Sequence, residues 1–380
     1  MRGKIMSEKL ILKQATNFAI EKRKQIIPEL SGKEEKTSKL IFDTLKELGY
    51  KPYFLENTYN VLCKVDVSKE KTLAIRADID ALPFGDKVIH ACGHDFHTAT
   101  LLGLAYIFSK EDFRKLLKTN LLFIFQSSEE VRKFSGAEAV VKAGILEKEN
   151  VEAIFGFHVY PELPVGKIGV RSGPMMAGSD VFEFIIKGQA SHASRPHLSN
   201  ETISALAQLI TKLNIIPSRK INPLYPALIS IGIVQAGTAE NVIPDRAYLR
   251  GTVRYYSKEV RNSIFENMKK AAKSVDEFFG TNTIFNIIQG NEPVINDKSL
   301  VDLLKKVVIK YLGVEAFEYL EYPSMGSEDF SEYLKVVKKG CYFRVGVGGK
   351  YPLHNPLFKA TDNAIYYALT SLYGVAINYE

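Results

Sequence analysis

The sequence of 380 residues contains no tryptophan and only three cysteines, Cys63, Cys92 and Cys341. Three scattered cysteines cannot build a disulfide framework, which excludes a small secreted scaffold held together by bridges and favours a reducing compartment. Apolar runs are short as well, since none approaches the roughly 18 residues that a membrane helix needs. The first ten residues, MRGKIMSEKL, are too polar for a secretory signal. We therefore expect a cytoplasmic protein that does not span a membrane.

Charge of one sign is not in large excess either. The 50 basic and 43 acidic residues give a formal net charge of +7 at pH 7. The basic residues are interspersed with acidic ones, as in EKRKQ and KEEKTSK, and no RNA-binding signature is present. The sequence thus predicts no nucleic-acid partner.

The length predicts two domains, at about 150 residues for each. Helical and strand patterns alternate through the first 176 residues, which is typical of an α/β domain with a mainly parallel sheet. The predicted helices cover 10–27, 38–48, 136–143 and a stretch after Asp95, and the predicted strands cover 53–55, 60–65, 72–77, 121–125 and 153–157.

The pattern changes at about residue 177. Longer alternating strands at 181–187, 227–234 and 247–253 are mixed with helices at 201–213 and 259–279, which predicts an α+β insert. The earlier alternation returns after residue 291, with elements at 298–311, 341–345 and 361–373. We therefore expect one domain from 1–176 and 291–380, interrupted by a second domain at 177–290.

Three of the seven histidines, His90, His94 and His97, fall within eight residues around Cys92. A thiolate and an imidazole one residue apart, with Gly93 allowing a tight turn, can converge on a cation such as zinc. The alternative is a buried cysteine with capping polar residues at a helix start. The metal site would lie where the strand ending at Asp80 meets the next helix, the usual ligand position in open α/β sheets.

Two adjacent carboxylates, Glu129 and Glu130, follow the apolar strand at 121–125. Adjacent like charges repel each other, so a cation should hold them there. One glutamate could bind metal while the other works as a base. The alternative is a solvated acidic loop.

Two further histidines complete a possible ligand set. His158 ends the third buried strand, and His354 lies in a proline-bounded loop. Alone, the first could be a core histidine and the second an exposed loop residue. Five potential ligands are more than one tetrahedral zinc uses and suit two ions that share a bridge, and these are Cys92, His94, Glu130, His158 and His354.

Seven motifs, in order along nearly the whole chain, resemble those of the dinuclear metal aminoacylase/carboxypeptidase family. They are RADIDALP, HACGHDFHTA, FQSSEE, GFHV, SHASRPH, TAENVIPD and GSEDF. The resemblance is closest to the amidohydrolase branch, with hippurate hydrolases, indole-acetyl-amino-acid hydrolases, N-acetyl-diaminopimelate deacetylases and thermostable carboxypeptidases. It implies a zinc-peptidase-like α/β catalytic domain interrupted by a smaller α+β, ferredoxin-like lid that dimerises.

The resemblance also implies roles for the motif residues. Cys92 becomes the bridging ligand, with the other four completing the two sites, and Glu129 becomes the general base. Three aspartates, Asp78, Asp80 and Asp95, are expected to orient ligands, although Asp80 could lie closer to the metal. His90 and His97 are expected to be structural.

In the lid, the resemblance makes His192 the histidine that polarises the scissile carbonyl, in its own site or in that of a partner subunit. Asn241 and Arg254 match lid positions that bind a carboxylate, which arginine can grip with two hydrogen bonds. The alternatives are a polar turn for His192 and an exposed strand charge for Arg254. Capping and the helix dipole already explain the acidic residues of Ser327-Glu328-Asp329, so we give them little weight as catalytic residues.

The chain departs from the family pattern in three places. The stretch between Pro83 and His90 is shorter than usual, Ser127 and Ser128 replace a common Pro-Ala pair, and VRKFS replaces a glycine-rich continuation. The ligand types are all retained. The departures alter the rim of the cleft and leave the substrate preference open.

Together these features predict a metal-dependent hydrolase that cleaves the amide bond of N-acyl amino acids or short peptides with a free carboxylate. We expect two divalent ions, zinc in the first place with cobalt, manganese or nickel as alternatives, and a homodimer or homotetramer assembled through the lid. Two rivals remain: a catalytically silent metal- or amino-acid-binding protein on the same fold, and a Cys92 nucleophile with a histidine base.

Overall fold

The computed structural model describes residues 2–380, with side chains described for 7–133 and 135–380. The described residues form ten α-helices. In chain order these are α1 Arg2–Arg23, α2 Glu35–Glu47, α3 His94–Ser109, α4 Glu111–Arg114, α5 Gly136–Lys142, α6 Ile145–Lys148, α7 Thr202–Arg219, α8 Lys258–Phe279, α9 Lys298–Leu312 and α10 Ile365–Asn378.

The strands range from two to ten residues in length. In chain order they are β1 Tyr53–Phe54, β2 Val61–Val65, β3 Thr72–Asp78, β4 Leu82–Phe84, β5 Lys87–Ile89, β6 Asn120–Gln126, β7 Val151–Tyr160, β8 Ile168–Val170, β9 Gly173–Met176, β10 Gly178–Lys187, β11 Ser191–His192, β12 Leu228–Ala236, β13 Val242–Ile243, β14 Arg246–Tyr255, β15 Asn282–Ile288, β16 Val294–Asn296, β17 Phe317–Tyr319 and β18 Lys339–Gly346.

The chain divides into two compact units. The first comprises residues up to 175 together with 295–323 and 329–380, and the second comprises 176–294 together with 324–328. The second unit thus includes a short segment, 324–328, that the sequence gives no reason to separate from its neighbours. The catalytic and lid roles of the two units remain predictions.

The first unit is built on an eight-stranded sheet with the order β1-β2-β6-β3-β7-β18-β8-β17. The four central strands, from β6 to β18, are parallel to one another, and antiparallel pairs flank them at β1-β2-β6 and β18-β8. All residues of β3 and β6 are buried, which is typical of the central strands of a parallel sheet that is covered on both faces. The predicted α/β fold with a mainly parallel sheet is confirmed.

Helix α3 is almost entirely buried in the first unit. It packs against α1 at Gly103, where an added Cβ would lie 3.1 Å from both the carbonyl oxygen of Ala15 and the Cβ of Ala19. Small residues at this crossing let the two helices approach closely. The result is a closely packed helix whose first residue, His94, belongs to the predicted site.

The second unit is an antiparallel sheet, in the order β12-β14-β10-β15, with two helices. Alternate residues of β10 are buried, namely Phe182, Phe184 and Ile186, and they belong to one apolar core with the buried faces of α7 and α8. This is the predicted α+β, ferredoxin-like arrangement.

Most predicted elements are present, and the differences have local reasons. Strand β15 was not predicted, because its alternation places exposed and half-buried residues along an edge of the sheet. The first helix ends at Arg23 rather than at residue 27, and the last begins at Ile365 after a 3-10 turn at Asp362–Ala364. No helix in the described part of the chain has the length and apolar character required to cross a membrane.

Candidate metal centre

The predicted site residues of the first unit gather at the carboxyl ends of its central strands. Asp78 is the last residue of β3, Glu129 and Glu130 follow β6, and His158 lies near the end of β7. Because β6, β3 and β7 are adjacent and parallel, these ends meet at one edge of the sheet.

The turn between Cys92 and His94 depends on Gly93. This glycine has φ of +86° and precedes the first residue of α3. A Cβ here would lie 2.5 Å from Cγ2 of Val159, so both the backbone conformation and the space require glycine. The turn directs both neighbouring side chains towards the strand ends.

The five predicted ligands come together. Ligand atoms of Cys92, His94 and Glu130 all lie within 4.8 Å of one another. His158 joins His94 in a second group with the same 4.8 Å limit, and His354 Nε2 lies 3.4 Å from Glu130 Oε1. The geometry is that of a set of donors around a shared centre, while the role of each donor remains a prediction.

Hydrogen bonds orient two of these imidazoles. His94 Nδ1 lies 2.8 Å from Asp80 Oδ1, and its buried Nε2 has no hydrogen-bond partner in the described part of the chain. His158 donates from Nδ1 to the carbonyl oxygen of Val159 at 2.7 Å, which leaves Nε2 for another ligand. A second nitrogen fixed in this way is typical of histidines that bind metal.

His97 differs, although it lies within the same group of histidines. Its Nδ1 is 2.5 Å from Asp78 Oδ1, and its Nε2 accepts the backbone N–H of Val159 at 3.0 Å. Burial lowers the pKa of His97, in keeping with a neutral ring. Since both nitrogens are occupied, His97 is better suited to holding Asp78 and β7 in place than to binding metal.

The donor set fits a metal ion. Cys92 is fully buried, and burial raises the pKa of its thiol to about 12 although His94 opposes this rise. A thiolate at this position, beside Glu130, therefore needs a cation to stabilise it. The high pKa also counts against Cys92 as a nucleophile without a metal.

A buried network behind the site was not predicted. Arg76, which is fully buried, pairs with Asp78 at 2.6 Å and with Asp329 at 2.8 Å, and Gln126 donates to Asp329 at 2.9 Å. Burial alone would raise the pKa of Asp78, but His94, His97 and Arg76 together hold it well below its usual range. Arg76 opens the RADIDALP motif, so an arginine in the middle of an apolar strand was the available signal.

This network corrects the interpretation of Asp329 as a helix-capping residue. The residue begins a 3-10 helix, Asp329–Lys335, and its side chain accepts hydrogen bonds from Gln126, Ser135 and Arg76. It ties together segments that are far apart in the sequence.

Asp80 and Asp95 play unlike parts. Besides contacting His94, Asp80 accepts the backbone N–H of Glu130 at 3.0 Å through Oδ2. Asp95 instead pairs with Arg23 at 2.7 Å, and Arg23 also contacts Asp362 at 2.7 Å. These contacts of Asp95 and Arg23 anchor helix α1 to α3, and they do not orient a predicted ligand.

His354 is held by its backbone. Its φ is +64°, and its N–H donates to the carbonyl oxygen of Ala91 at 2.8 Å, next to Cys92. The hydrogen bond to Glu130 raises the pKa of His354. A strained backbone that is fixed next to a ligand pair is typical of functional sites.

The remaining predicted residues lie in the second unit. His192 is exposed in β11, which pairs with β13, and its Nδ1 accepts the backbone N–H of Ser194 at 3.2 Å. A neutral His192 therefore carries its proton on Nε2. Asn241 is exposed just before β13, and Arg254 is half-buried in β14 opposite Ser179 of β10.

Soft and hard donors at the ends of parallel strands, with a second carboxylate on the same loop, are typical of metal-dependent hydrolases. Residues 74–378 match the model of Peptidase family M20/M25/M40. The chain belongs to this family, which confirms the family predicted from the motifs, and it is a metal-dependent hydrolase of amide bonds.

The chain is similar to several proteins over most of its length. It is 38% identical to an N-acetylcysteine deacetylase of Bacillus subtilis over 89% of this chain and 90% of that protein. It is 32% identical to thermostable carboxypeptidase 1 of Saccharolobus solfataricus over 93% of each. Among solved structures, a dinuclear metal-binding peptidase of the M20 family from Bacillus subtilis aligns with a TM-score of 0.82 and 32% identity, covering 97% of this chain and 98% of that one.

Proposed function

We propose that this enzyme removes the acyl group from N-acyl amino acids that carry a free carboxylate, or cleaves short peptides of the same kind. The observation that carries the proposal is the convergence of Cys92, His94 and Glu130 within 4.8 Å, where Glu130 is the chain neighbour of Glu129. The similarity to a deacetylase and to a carboxypeptidase supports an amide substrate with a terminal carboxylate.

Two divalent ions, with zinc as the first candidate, would be held by Cys92 as the bridge and by His94, Glu130, His158 and His354. The relative described as dinuclear supports the number of ions. Imidazole and thiolate donors suit zinc, and they also bind cobalt, manganese or nickel. When bound, such ions lower the pKa of water towards about 7 and polarise a carbonyl oxygen.

Glu129 is the proposed general base. Its carboxylate takes one proton from the attacking water and hands it to the departing nitrogen, so that an acid and an amine are the products. Glu130, whose backbone N–H is fixed by Asp80, faces His354 instead. Glu129 instead has a carboxylate oxygen within 4.8 Å of one of Asp329, and these different environments support two different roles.

His192, Asn241 and Arg254 are proposed to act on the substrate from the second unit, in the same chain or in a partner copy. The Nε2–H of His192 is a donor for the oxyanion that forms from the scissile carbonyl. Asn241 and Arg254 would bind the free carboxylate of the substrate.

We further propose a homodimer or homotetramer that assembles through the second unit. Strand β12 is an edge of its sheet and exposes Ile233 and Val234, at 42% and 50%. An exposed edge strand with apolar residues favours pairing with a second copy. Sedimentation would measure the state, and a monomer at micromolar concentration would contradict it.

A cytoplasmic location is also proposed. The three cysteines are unpaired and buried, and Cys92 must remain reduced in order to bind metal as a thiolate. A reducing compartment maintains that state.

The decisive variant is Glu129→Gln, which keeps the size of the side chain and removes the base. We expect wild-type metal content and a loss of turnover of at least about 100-fold on acetyl amino acids, benzoyl amino acids or benzyloxycarbonyl dipeptides. Metal analysis with and without a chelator accompanies the assay. Substantial turnover by the variant would overturn the base assignment, and a wild-type protein that binds metal but cleaves none of these amides would favour a binding protein.

A further inference from the structure

The loop that carries Glu129 is held by its backbone amides. Asn60 Oδ1 accepts the N–H of Ser127 at 2.8 Å, Glu34 Oε1 accepts the N–H of Ser128 at 2.7 Å, and Asp80 Oδ2 accepts the N–H of Glu130 at 3.0 Å. The three side chains come from three separate segments. The two amides on either side of Glu129 are therefore fixed by two different carboxylates.

Ser128 needs such support, because its φ is +53°. This is the left-handed region, which residues with a Cβ rarely adopt and which persists only when the surroundings enforce it. If Ser128 relaxed to an ordinary conformation, the chain would turn at this point and the next side chain, that of Glu129, would point elsewhere.

Glu34 is placed to enforce this conformation. It is fully buried, in the turn before α2. Its segment is docked against the end of β3: the N–H of Ala81 donates to the carbonyl oxygen of Glu29 at 2.8 Å, and Ser31 Oγ donates to Asp80 Oδ2 at 2.7 Å. A buried carboxylate is costly unless it is hydrogen-bonded, and here the amide of Ser128 supplies such a bond.

We propose that Glu34 is a positioning residue for hydrolysis, which holds Ser128 in its left-handed conformation and thereby aims Glu129. The inference rests on the proposed role of Glu129 as the base. It assigns a function in the reaction to Glu34, which lies outside all seven motifs and outside the matched range of the family model.

The charge of Glu34 suggests the conservative variant. Burial and the nearby Asp80 raise the pKa of Glu34 to about 7, so its neutral form is accessible near neutral pH. A glutamine has nearly the same shape as this neutral form and keeps an oxygen that can accept the N–H of Ser128.

The test compares Glu34→Ala and Glu34→Gln with Glu29→Ala as the matched control. Glu29 is a carboxylate of the same segment, but it accepts hydrogen bonds from Lys36 N and Thr37 N at the start of α2, at 3.1 and 2.7 Å. Each variant, purified with its metal, is assayed for kcat, KM, metal content and melting temperature, and the conformation of Ser128 is read from a crystal structure.

We expect Glu34→Ala to lower kcat about 100-fold, the cost of a displacement of about 1 Å at a reacting group, with KM and metal content unchanged. Ser128 should leave the left-handed region in this variant. Glu34→Gln should restore kcat to within about 5-fold of wild type, since the hydrogen bond to the Ser128 amide is kept. Glu29→Ala should have a lower melting temperature than wild type and an unchanged kcat.

Wild-type kcat in Glu34→Ala would overturn the inference, and so would an equal loss of kcat in Glu29→Ala. A loss of metal from Glu34→Ala would also overturn it, because it would connect Glu34 with the ligands and not with the base. Failure of the proposed function is distinct, because it would appear as full turnover in Glu129→Gln whatever the Glu34 variants do.

Discussion

The predicted site residues of the two units differ in how strongly the fold constrains them. In the first unit, Asp78, Asp80, His94 and His97 are fully buried and hydrogen-bonded to one another. In the second, His192 and Asn241 are exposed, and the hydrogen bonds of the His192 ring stay within its own turn. The first group is held by buried hydrogen bonds, whereas the second is exposed and less constrained. Metal binding requires the former property and substrate recognition is served by the latter.

The comparison implies that variants in the buried network change stability, and the largest effect is expected at Arg76. Arg76→Met leaves Asp78 and Asp329 without their buried cation. Breaking a buried pair in this way costs about 3–5 kcal/mol of unfolding free energy. Urea denaturation measures this loss.

Arg261→Met is the matched control in the second unit, where Arg261 pairs with the buried Asp180 at 2.5 Å. It should lower stability but leave metal content unchanged, while Arg76→Met should lower both. Equal metal content in the two variants would show that Arg76 does not support the metal centre.

On the exposed side, His192→Ala should lower kcat by about 100- to 1,000-fold, the usual effect of removing one oxyanion donor. Melting temperature and metal content should not change, because the ring makes no buried contact. His197→Ala in the same exposed turn is the control and should keep wild-type kcat. A fall in metal content in His192→Ala would contradict the comparison, because it would show that this exposed residue also supports metal binding.

Asp80→Asn tests how far the buried hydrogen bonds of the first unit support metal binding. It weakens the hold on His94 and on the backbone of Glu130, so metal affinity should fall about 10- to 100-fold. Competition with a chelator measures this change. Asp86→Asn, in the exposed turn between β4 and β5, serves as the control, and an equal loss there would exclude a specific role for Asp80.

The smallest effect concerns pH. The raised pKa of Glu34, about 7, means that its contribution to stability is complete below its ordinary value of 4.5 and is lost as the pH rises through about 7. Glu34→Gln has no such loss, so its unfolding free energy relative to wild type should increase between about pH 5 and pH 8. Urea denaturation at several pH values measures this difference. A difference in unfolding free energy that stays constant across the range would show that the pKa of Glu34 is not raised.

The sequence was informative wherever the signal was local. Continuous apolar patterns predicted the parallel strands, and alternating patterns predicted the strands of the insert. The clustered histidines around Cys92 pointed to the candidate metal centre before any contact was known. Local spacing could not separate His94 from His97, because both lie in the same motif. Only the bonds of His97 to Asp78 and Val159 show that its two nitrogens are occupied.

Glu34 and Asp329 were missed for a related reason. Glu34 acts on Ser128, 94 residues away, and Asp329 on Arg76, 253 residues away. Each looks like an ordinary polar residue near a helix start, and no pattern of neighbouring residues distinguishes it.

The amino-acid sequence by itself determined which donors this protein has, which strands carry them and which class of reaction they suit. The tertiary structure decided which nitrogen of each histidine remains available, which aspartate orients a ligand and what holds Glu129 in place. The physical reason is that a donor's chemical type belongs to its residue, while its direction and protonation depend on buried hydrogen bonds to distant segments.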